Sequence, residues 1–363
     1  MFVVIGAGIA GLAASIALAE AGPVVVLERR GEDAANAGAG IQIAPNAVKA
    51  LSVLGALEDV ARVATAPEAL VVRAPEQAAP LVRLPYGPAI VARYGAPYYT
   101  LSRAALHGAL LAAALRRGVV VRHDHAARHV HQTDTGCTVA GAEMDAALVV
   151  AADGVNSSTR RALVGDAPRD TGWIAWRGTG DTAGGTTELV MGSGHHLVRY
   201  ALSDEDANYV LVAPQKSRGP AGIARTPTGR LIADVAQWTP WPIAVRPRHV
   251  FAAGRVAFIG DAAHAMVPFL AQGAAMALED AAILKLAVAA LGPTPAALAR
   301  YADARRPRTR RIAAMSEQQG SVYHLPFPLD RVRNATMRTL GPRAILRRVD
   351  PVYAWSVPED GIA

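Results

Sequence analysis

Residues 254–291 read GRVAFIGDAAHAMVPFLAQGAAMALEDAAILKLAVAAL, and the order of chemistry along this stretch decides the fold. Positions 255–260 form a short apolar run ended by glycine, the pattern of a buried strand in a parallel sheet. A loop is expected over 261–272, carrying Asp261, His264, Pro268 and Gln272. From 274 to 291 the pattern turns small, apolar and helical, with Glu279 and Asp280 one turn in. A helix start fed by such a loop presents unpaired N–H groups and about half a positive charge. That suits a phosphate, or a ring that becomes anionic on reduction. Asp261, at the end of the strand, suits ribose hydroxyls.

The N-terminus carries the complementary half. Positions 2–5 read as a strand, and Gly6-Ala7-Gly8-Ile9-Ala10-Gly11 follows directly and opens a helix to about position 21. A second strand at 24–27 ends in Glu28. The first glycine permits the tight turn, the second lets backbone approach a pyrophosphate, and the third lets helix pack on strand; Glu28 can hold a ribose diol. Ala10 lies inside the same turn as a cofactor contact, and Arg29 is placed beside the adenosine. Together these stretches describe a dinucleotide site.

At 363 residues the chain can hold two or three layers in two joined lobes. The lone Cys137 excludes an intramolecular disulfide framework and is expected to be a small core residue. The first nineteen residues carry no charge, yet they lack a basic leader and their glycines recur, so a soluble, cytoplasmic protein is expected. The formal net charge is +7, and only Lys49, Lys216 and Lys285 are lysines. Aromatic residues make up 5%, too few to interleave with a basic face, so nucleic-acid binding is not expected and the charge is read as steering of anionic substrates and cofactors. No residue is assigned to a metal.

A second glycine-rich loop is expected over 38–46, with Gln42 exposed to the ring end of the cofactor, followed by a helix over 47–54. Residues 70–93 alternate weakly, as in an antiparallel excursion into a second lobe. Ser102 is placed as N-cap of a helix over 104–117, with Arg103 in a first turn that disfavours cations and so aimed at a phosphate. Short strands are read at 119–122, 127–132, 137–140 and 147–152. Asp153, Gly154, Ser157, Ser158 and Arg160 then form an anion-facing turn. Residues 173–238 hold three of the five tryptophans and read as an antiparallel sheet. Within it His196, Val198 and Tyr200 share one face by the period of two, so His196 and Tyr200 are candidates for orienting or deprotonating a phenol. A helix over 296–320 carries Arg305, Arg306, Arg308, Arg310 and Arg311 on a face expected to be solvated. The remainder is read as a covering tail with one short helix near 330–337.

Three motifs in this order resemble the class A flavoprotein aromatic hydroxylases, the family of para-hydroxybenzoate and salicylate hydroxylases. They are Gly6, Gly8 and Gly11 with Glu28; Asp153-Gly154 through Ser157 to Arg160; and Gly260-Asp261 through Pro268. The run from Gln272 to Ala281 looks like the salicylate and 6-hydroxynicotinate hydroxylase branch. The resemblance implies an α/β fold: a Rossmann-like FAD-binding domain (1–69, 98–165 and 250–320), an interleaved antiparallel substrate domain (70–97 and 166–249), a C-terminal helical segment and a tail over 321–363. It implies FAD held without a covalent bond by Gly8, Gly11, Glu28, Arg29, Arg103, Val130, Asp261, Gly273 and Ala274, with Asp153 in the motif shared by FAD and the nicotinamide donor. NADH or NADPH would reduce the flavin, O2 would form a C4a-hydroperoxide, and one oxygen would pass to a phenolic or heteroaromatic small molecule. Pro268 would help keep water from the peroxide. The chain lacks the C-terminal accessory domain of many relatives, so a monomer or homodimer is expected. Epoxidation, reduction or halogenation on the same fold, or a non-catalytic flavin sensor, are the alternatives. Trp173-Ile174-Ala175-Trp176 does not match the W-x-W-x-I-P signature of halogenases.

Overall fold

The apolar runs that show no polar alternation come together as one sheet. In the computed structural model, which describes residues 1–32, 40–181 and 184–358, six strands lie in the order Ala252–Ala253, Val256–Phe258, Leu148–Ala151, Phe2–Ile5, Val24–Leu27 and Val120–Arg122. Every neighbouring pair is parallel except the first. The central strands are buried along their whole length, which explains their uniform hydrophobicity. Helices Ile9–Leu18 and Gly273–Leu291 pack against each other across one end of this sheet. The approach is close: a Cβ on Gly260 would lie 2.9 Å from the Ala10 methyl and 3.4 Å from that of Ala277.

A seven-stranded sheet forms the second layer, in the order Thr239–Val245, Arg169–Asp181, Asp206–Pro214, His196–Ala201, Thr186–Met191, Ala69–Arg73 and Val82–Pro85. Its pairings are antiparallel except where Thr186–Met191 meets Ala69–Arg73. A ribbon of Gly40–Ile43 and Tyr99–Ser102 lies between the two sheets in sequence, and Thr100 Oγ1 ties it to the seven-stranded sheet by donating to Ala201 O. Among the described residues no helix is long and apolar enough to cross a membrane.

Several local expectations are corrected. Residues 40–43 are a strand rather than loop, because Gln42 and its neighbours pair with Tyr99–Ser102; Gly38 and Ala39 lie outside the described residues. The start of the 261–272 loop is a helical turn, Asp261–His264, set by Gly260 at φ 60°. The tail is not one short helix: Leu329–Tyr353 is helical on both sides of a break at Gly341, where Pro342 prevents a continuous ladder.

The arginine face of helix Pro295–Tyr323 is not solvated where it matters. Arg305 is buried and donates to Asp280 Oδ1 (2.6 Å) and Glu279 Oε2 (2.9 Å), and Arg308 donates to Glu279 Oε1 (2.8 Å). Glu279 and Asp280 have no access to water, so their charges require these partners. Asp280 Oδ2 also accepts from Gly260 N (3.0 Å) and His264 Nε2 (2.6 Å). Burial alone would raise the Asp280 carboxyl, but His264 and Arg305 hold it below its ordinary range.

Candidate active site

Three glycine-bearing turns leave the C-terminal ends of adjacent strands Phe2–Ile5, Leu148–Ala151 and Val256–Phe258, so residues far apart in sequence meet at one edge. Gly6 takes φ 101°, and a Cβ there would sit 2.6 Å from Ala152 O; a Cβ on Gly11 would sit 1.8 Å from Gly6 O. Around Gly8 nothing lies within 4 Å of where a Cβ would be. Helix Ile9–Leu18 begins there with no capping side chain, so its first amides are unclaimed. Glu28 accepts from the amides of Ala7 (2.9 Å) and Arg30 (3.1 Å). Burial tends to raise this carboxyl, yet those amides and the Arg30 guanidinium hold it below its ordinary value. Arg30, and not the exposed Arg29, makes the ion pair with Glu28.

Asp153 lies beside Gly6. Its Oδ2 accepts from Thr159 N (3.1 Å), while its buried Oδ1 has no partner among the described residues. The expected anion-facing role of Arg160 is corrected. Its guanidinium is buried and spent on Asp166, Arg248 O and the carbonyls of Ala262 (2.8 Å) and Ala263 (2.6 Å), so it bolts the middle turn to the Asp261 turn. Burial of the Arg103 guanidinium lowers its pKa, and the nearby Asp261 offsets part of that fall. Val130 is half-buried on strand His129–Gln132 of a separate three-stranded sheet, where it lines a small pocket with Thr159, the residue whose amide bonds Asp153. Helix Gly273–Leu291 also starts without a capping side chain, with open space around Gly273 and Ala274 next in its first turn. Two uncapped helix starts, a glycine gap and a partnerless buried carboxylate oxygen fit a dinucleotide.

Beside this groove lies a cavity of about 430 Å³. Its floor is the seven-stranded sheet, its roof is helix Leu329–Tyr353, and residues 268–271 close one side before running into the open helix start at Gly273. Gln42, Pro268, Phe269 and His196 all line it. Gln42 is fixed by Tyr98, whose hydroxyl donates to Gln42 Oε1 (2.7 Å), and Tyr98 packs against Tyr86 with ring centroids 4.7 Å apart. Tyr200 does not join His196 and Val198 in the wall. Its ring packs where a Cβ on Gly40 would come within 2.6 Å, beside Asn208, and burial pushes its phenol above the ordinary value. Arg199 faces the other side of the sheet, bound to Glu188 (2.7 Å), and Arg177 stacks over Trp241.

His196 Nδ1 is hydrogen-bonded to His324 Nε2 at 2.7 Å, and Trp173 stacks on His324 at 4.1 Å. Burial, then the neighbouring His324, pushes the His196 imidazole well below its ordinary value, and burial lowers His324 to about 4. Both rings are therefore neutral at neutral pH. With the shared proton on His196 Nδ1, Nε2 of the same ring is left as an acceptor.

Sequence reasoning did not single out Tyr86, Tyr98, Thr187, His324 or Tyr353, all of them part of this cavity or bonded to its wall. Four of the nine tyrosines fall between 86 and 99, a density that signals an aromatic wall. Nothing in the local pattern marks His324. His107, which donates from Nε2 to Ala7 O (2.7 Å) and braces the first glycine turn, is equally silent in the sequence.

A family model described as an FAD binding domain matches residues 2–226 and 225–316, most of the chain. The chain is 37% identical to 3-amino-4-hydroxybenzoate 2-monooxygenase PtmB3 of Streptomyces platensis, across 97% of this chain and 94% of that protein. It is 30% identical to 3-hydroxybenzoate 6-hydroxylase of Klebsiella oxytoca, across 97% and 96%. Its fold matches the solved structure of Klebsiella pneumoniae HpxO complexed with FAD and uric acid, with a TM-score of 0.85 at 23% identity, covering 98% and 97% of the two chains. With the glycine edge, the uncapped helix starts and the adjoining cavity in place, the chain belongs to the class A FAD-dependent aromatic hydroxylases.

Proposed function

We propose that this chain uses NADH or NADPH and O2 to hydroxylate a phenolic or heteroaromatic small molecule in the cavity under helix Leu329–Tyr353. The observation that carries this reading is continuity: residues 268–271 line the cavity and lead without interruption into the open helix start at Gly273. The amides after Gly8 and at Gly273 and Ala274 would hold FAD non-covalently, with Glu28 and Asp261 toward its hydroxyls. When bound and reduced, the flavin supplies one oxygen atom drawn from O2.

The rest is done by the chain's own side chains. A substrate hydroxyl next to His196 gives its proton to Nε2 and the Nδ1 proton passes to His324 Nε2, which leaves the substrate an electron-rich phenolate and moves the positive charge to the half-buried His324 until its Nδ1 proton leaves. Phe269 and Pro268 keep water from the reacting atoms. Gln42, locked by Tyr98, is a second polar contact. We place the enzyme in the cytoplasm, as a monomer or homodimer.

The test is a panel of hydroxybenzoates, hydroxypyridines and larger phenols, with NADH and NADPH consumption followed separately and hydroxylated product measured against nucleotide oxidised. A colourless protein that stays so with excess FAD, or peroxide as the sole product with every aromatic, overturns the reading.

A further inference from the structure

The cavity contrasts with the charge of its relatives' substrates. The named relatives act on hydroxybenzoates, which are anions. Among the described residues, the only cations on the cavity wall are Arg333 and Arg348. Arg333 is buried with most of its donors engaged: Nη1 on Tyr323 O (2.7 Å) and Val322 O (3.4 Å), Nη2 on Met191 O (3.1 Å) and Nε on Asn334 Oδ1 (3.0 Å). Arg348 is exposed to solvent. A carboxylate taken deep into this cavity would lose water and meet one guanidinium already engaged with four acceptors, with the other, Arg348, exposed to solvent.

The cavity's shape points the same way. The register Met191↔His196 and Leu189↔Val198 places Thr187 four residues along the floor from the His196 rung, about 13 Å away at strand spacing. Thr187 is 2% exposed, lines the cavity, and its hydroxyl has no partner among the described residues. Two polar points that far apart exceed the reach of a single substituted ring. At the mouth, Leu329, Val332 and Leu340 line the cavity from one face of the roof helix and are 52%, 62% and 42% exposed, among the most exposed large apolar side chains described. They form an apolar track continuous with the cavity, and its volume of about 430 Å³ falls in the range that encloses a drug-sized ligand.

We propose that the substrate is an uncharged hydroxylated aromatic with an apolar arm, a second ring or an alkyl chain, that lies along Leu329, Val332 and Leu340. This rests on the hydroxylase reading above and names the substrate class of that same site. The hydroxyl to be deprotonated sits at His196, and an oxygen further along the molecule meets Thr187.

The experiment titrates the FAD-loaded enzyme, by its flavin difference spectrum, with 3-hydroxybenzoate, methyl 3-hydroxybenzoate and 3-phenylphenol, and measures product with each. Affinity should rise in that order, with 3-phenylphenol bound about a hundredfold more tightly than the anion. Val332→Ser and Leu340→Ser, both at exposed positions, should each weaken 3-phenylphenol about tenfold and leave phenol unchanged, with flavin content as the control. Hydroxybenzoate binding as tightly as its methyl ester overturns the proposal, as does indifference of 3-phenylphenol to both serine variants. If the anion is preferred and hydroxylated, the substrate class fails while the hydroxylase reading stands. If the neutral phenols bind as expected but no aromatic yields oxygenated product, the hydroxylase reading fails and the preference for an uncharged, extended ligand stands.

Discussion

The cofactor groove and the aromatic cavity adjoin, yet they are made of different material. The groove is made of backbone: glycine gaps at strand ends and helix starts whose amides are left open. Helices Arg103–Leu115, Ser158–Val164 and Pro295–Tyr323 begin on capping side chains, Ser102, Ser157 and Thr294; those after Gly8 and Gln272 do not, a trait shared with Pro45–Val53 and Leu329–Tyr353, but they add open space at Gly8 and Gly273. The cavity is made of side chains, drawn from positions as far apart as Gln42 and Tyr353. A backbone site tolerates little change in glycine and much change elsewhere; a side-chain site does the reverse.

The sharpest break of that contrast is within the glycine turn itself. Gly11→Ala, whose Cβ would meet backbone at 1.8 Å, should abolish soluble protein, while Gly8→Ala, with open space around it, should fold normally and retain FAD roughly tenfold less well or worse. Flavin absorbance after gel filtration, read beside the melting temperature, separates the two. Equal stability of both variants would show that the turn has more slack than its geometry indicates. Next comes the bolt beneath the groove. Arg305→Ala leaves Glu279 and Asp280 buried without their main cation and should lower unfolding free energy by about 3–5 kcal/mol in denaturant titration.

On the cavity side, His324→Phe should reduce kcat about 10- to 100-fold with flavin content and substrate affinity unchanged, because it removes the acceptor for the His196 proton. Its kcat should also rise more steeply with pH than that of the parent enzyme, and an unaltered pH profile would remove His324 from the reaction. The remaining effect is on acid stability. Burial holds His249 and His324 neutral down to about pH 4. Only the unfolded chain takes up these protons between pH 6.5 and 4, so stability is complete above 6.5 and declines through that window by about 1.4 kcal/mol per pH unit for each proton. His324→Gln should flatten the decline of the denaturation midpoint between pH 6.5 and 4.5.

The contrast also explains what could be read before the fold was known. Gly6, Gly8, Gly11 and Glu28 speak from their spacing, because the turn and the diol contact constrain residue type at fixed separation. Strands such as Val24–Leu27 and Leu148–Ala151 announce their burial by lacking any polar alternation. Arg305 was misread because a helix rich in arginine looks solvated until the partner helix bearing Glu279 and Asp280 is known to lie against it. Arg160 was misread for a similar reason: its partners, Asp166 and the carbonyls of 262 and 263, include groups that only the folded chain brings near. His324 and Thr187 carry no local pattern, and only the register of two strands and the return of the chain from helix Pro295–Tyr323 bring them to the cavity.

The roof over the cavity, Leu329–Tyr353, is one continuous stretch of chain kinked at Gly341 and fastened to the rest of the molecule by bonds such as those of Arg93 and Tyr94 to Asp350 and of Lys49 to the carbonyls of residues 353–355. A lineage can therefore reshape one wall of its substrate chamber by rewriting one short gene segment while the inherited redox chassis stays as it was. Transplanting that segment between cousins becomes a rational first step for anyone redesigning what such a catalyst accepts.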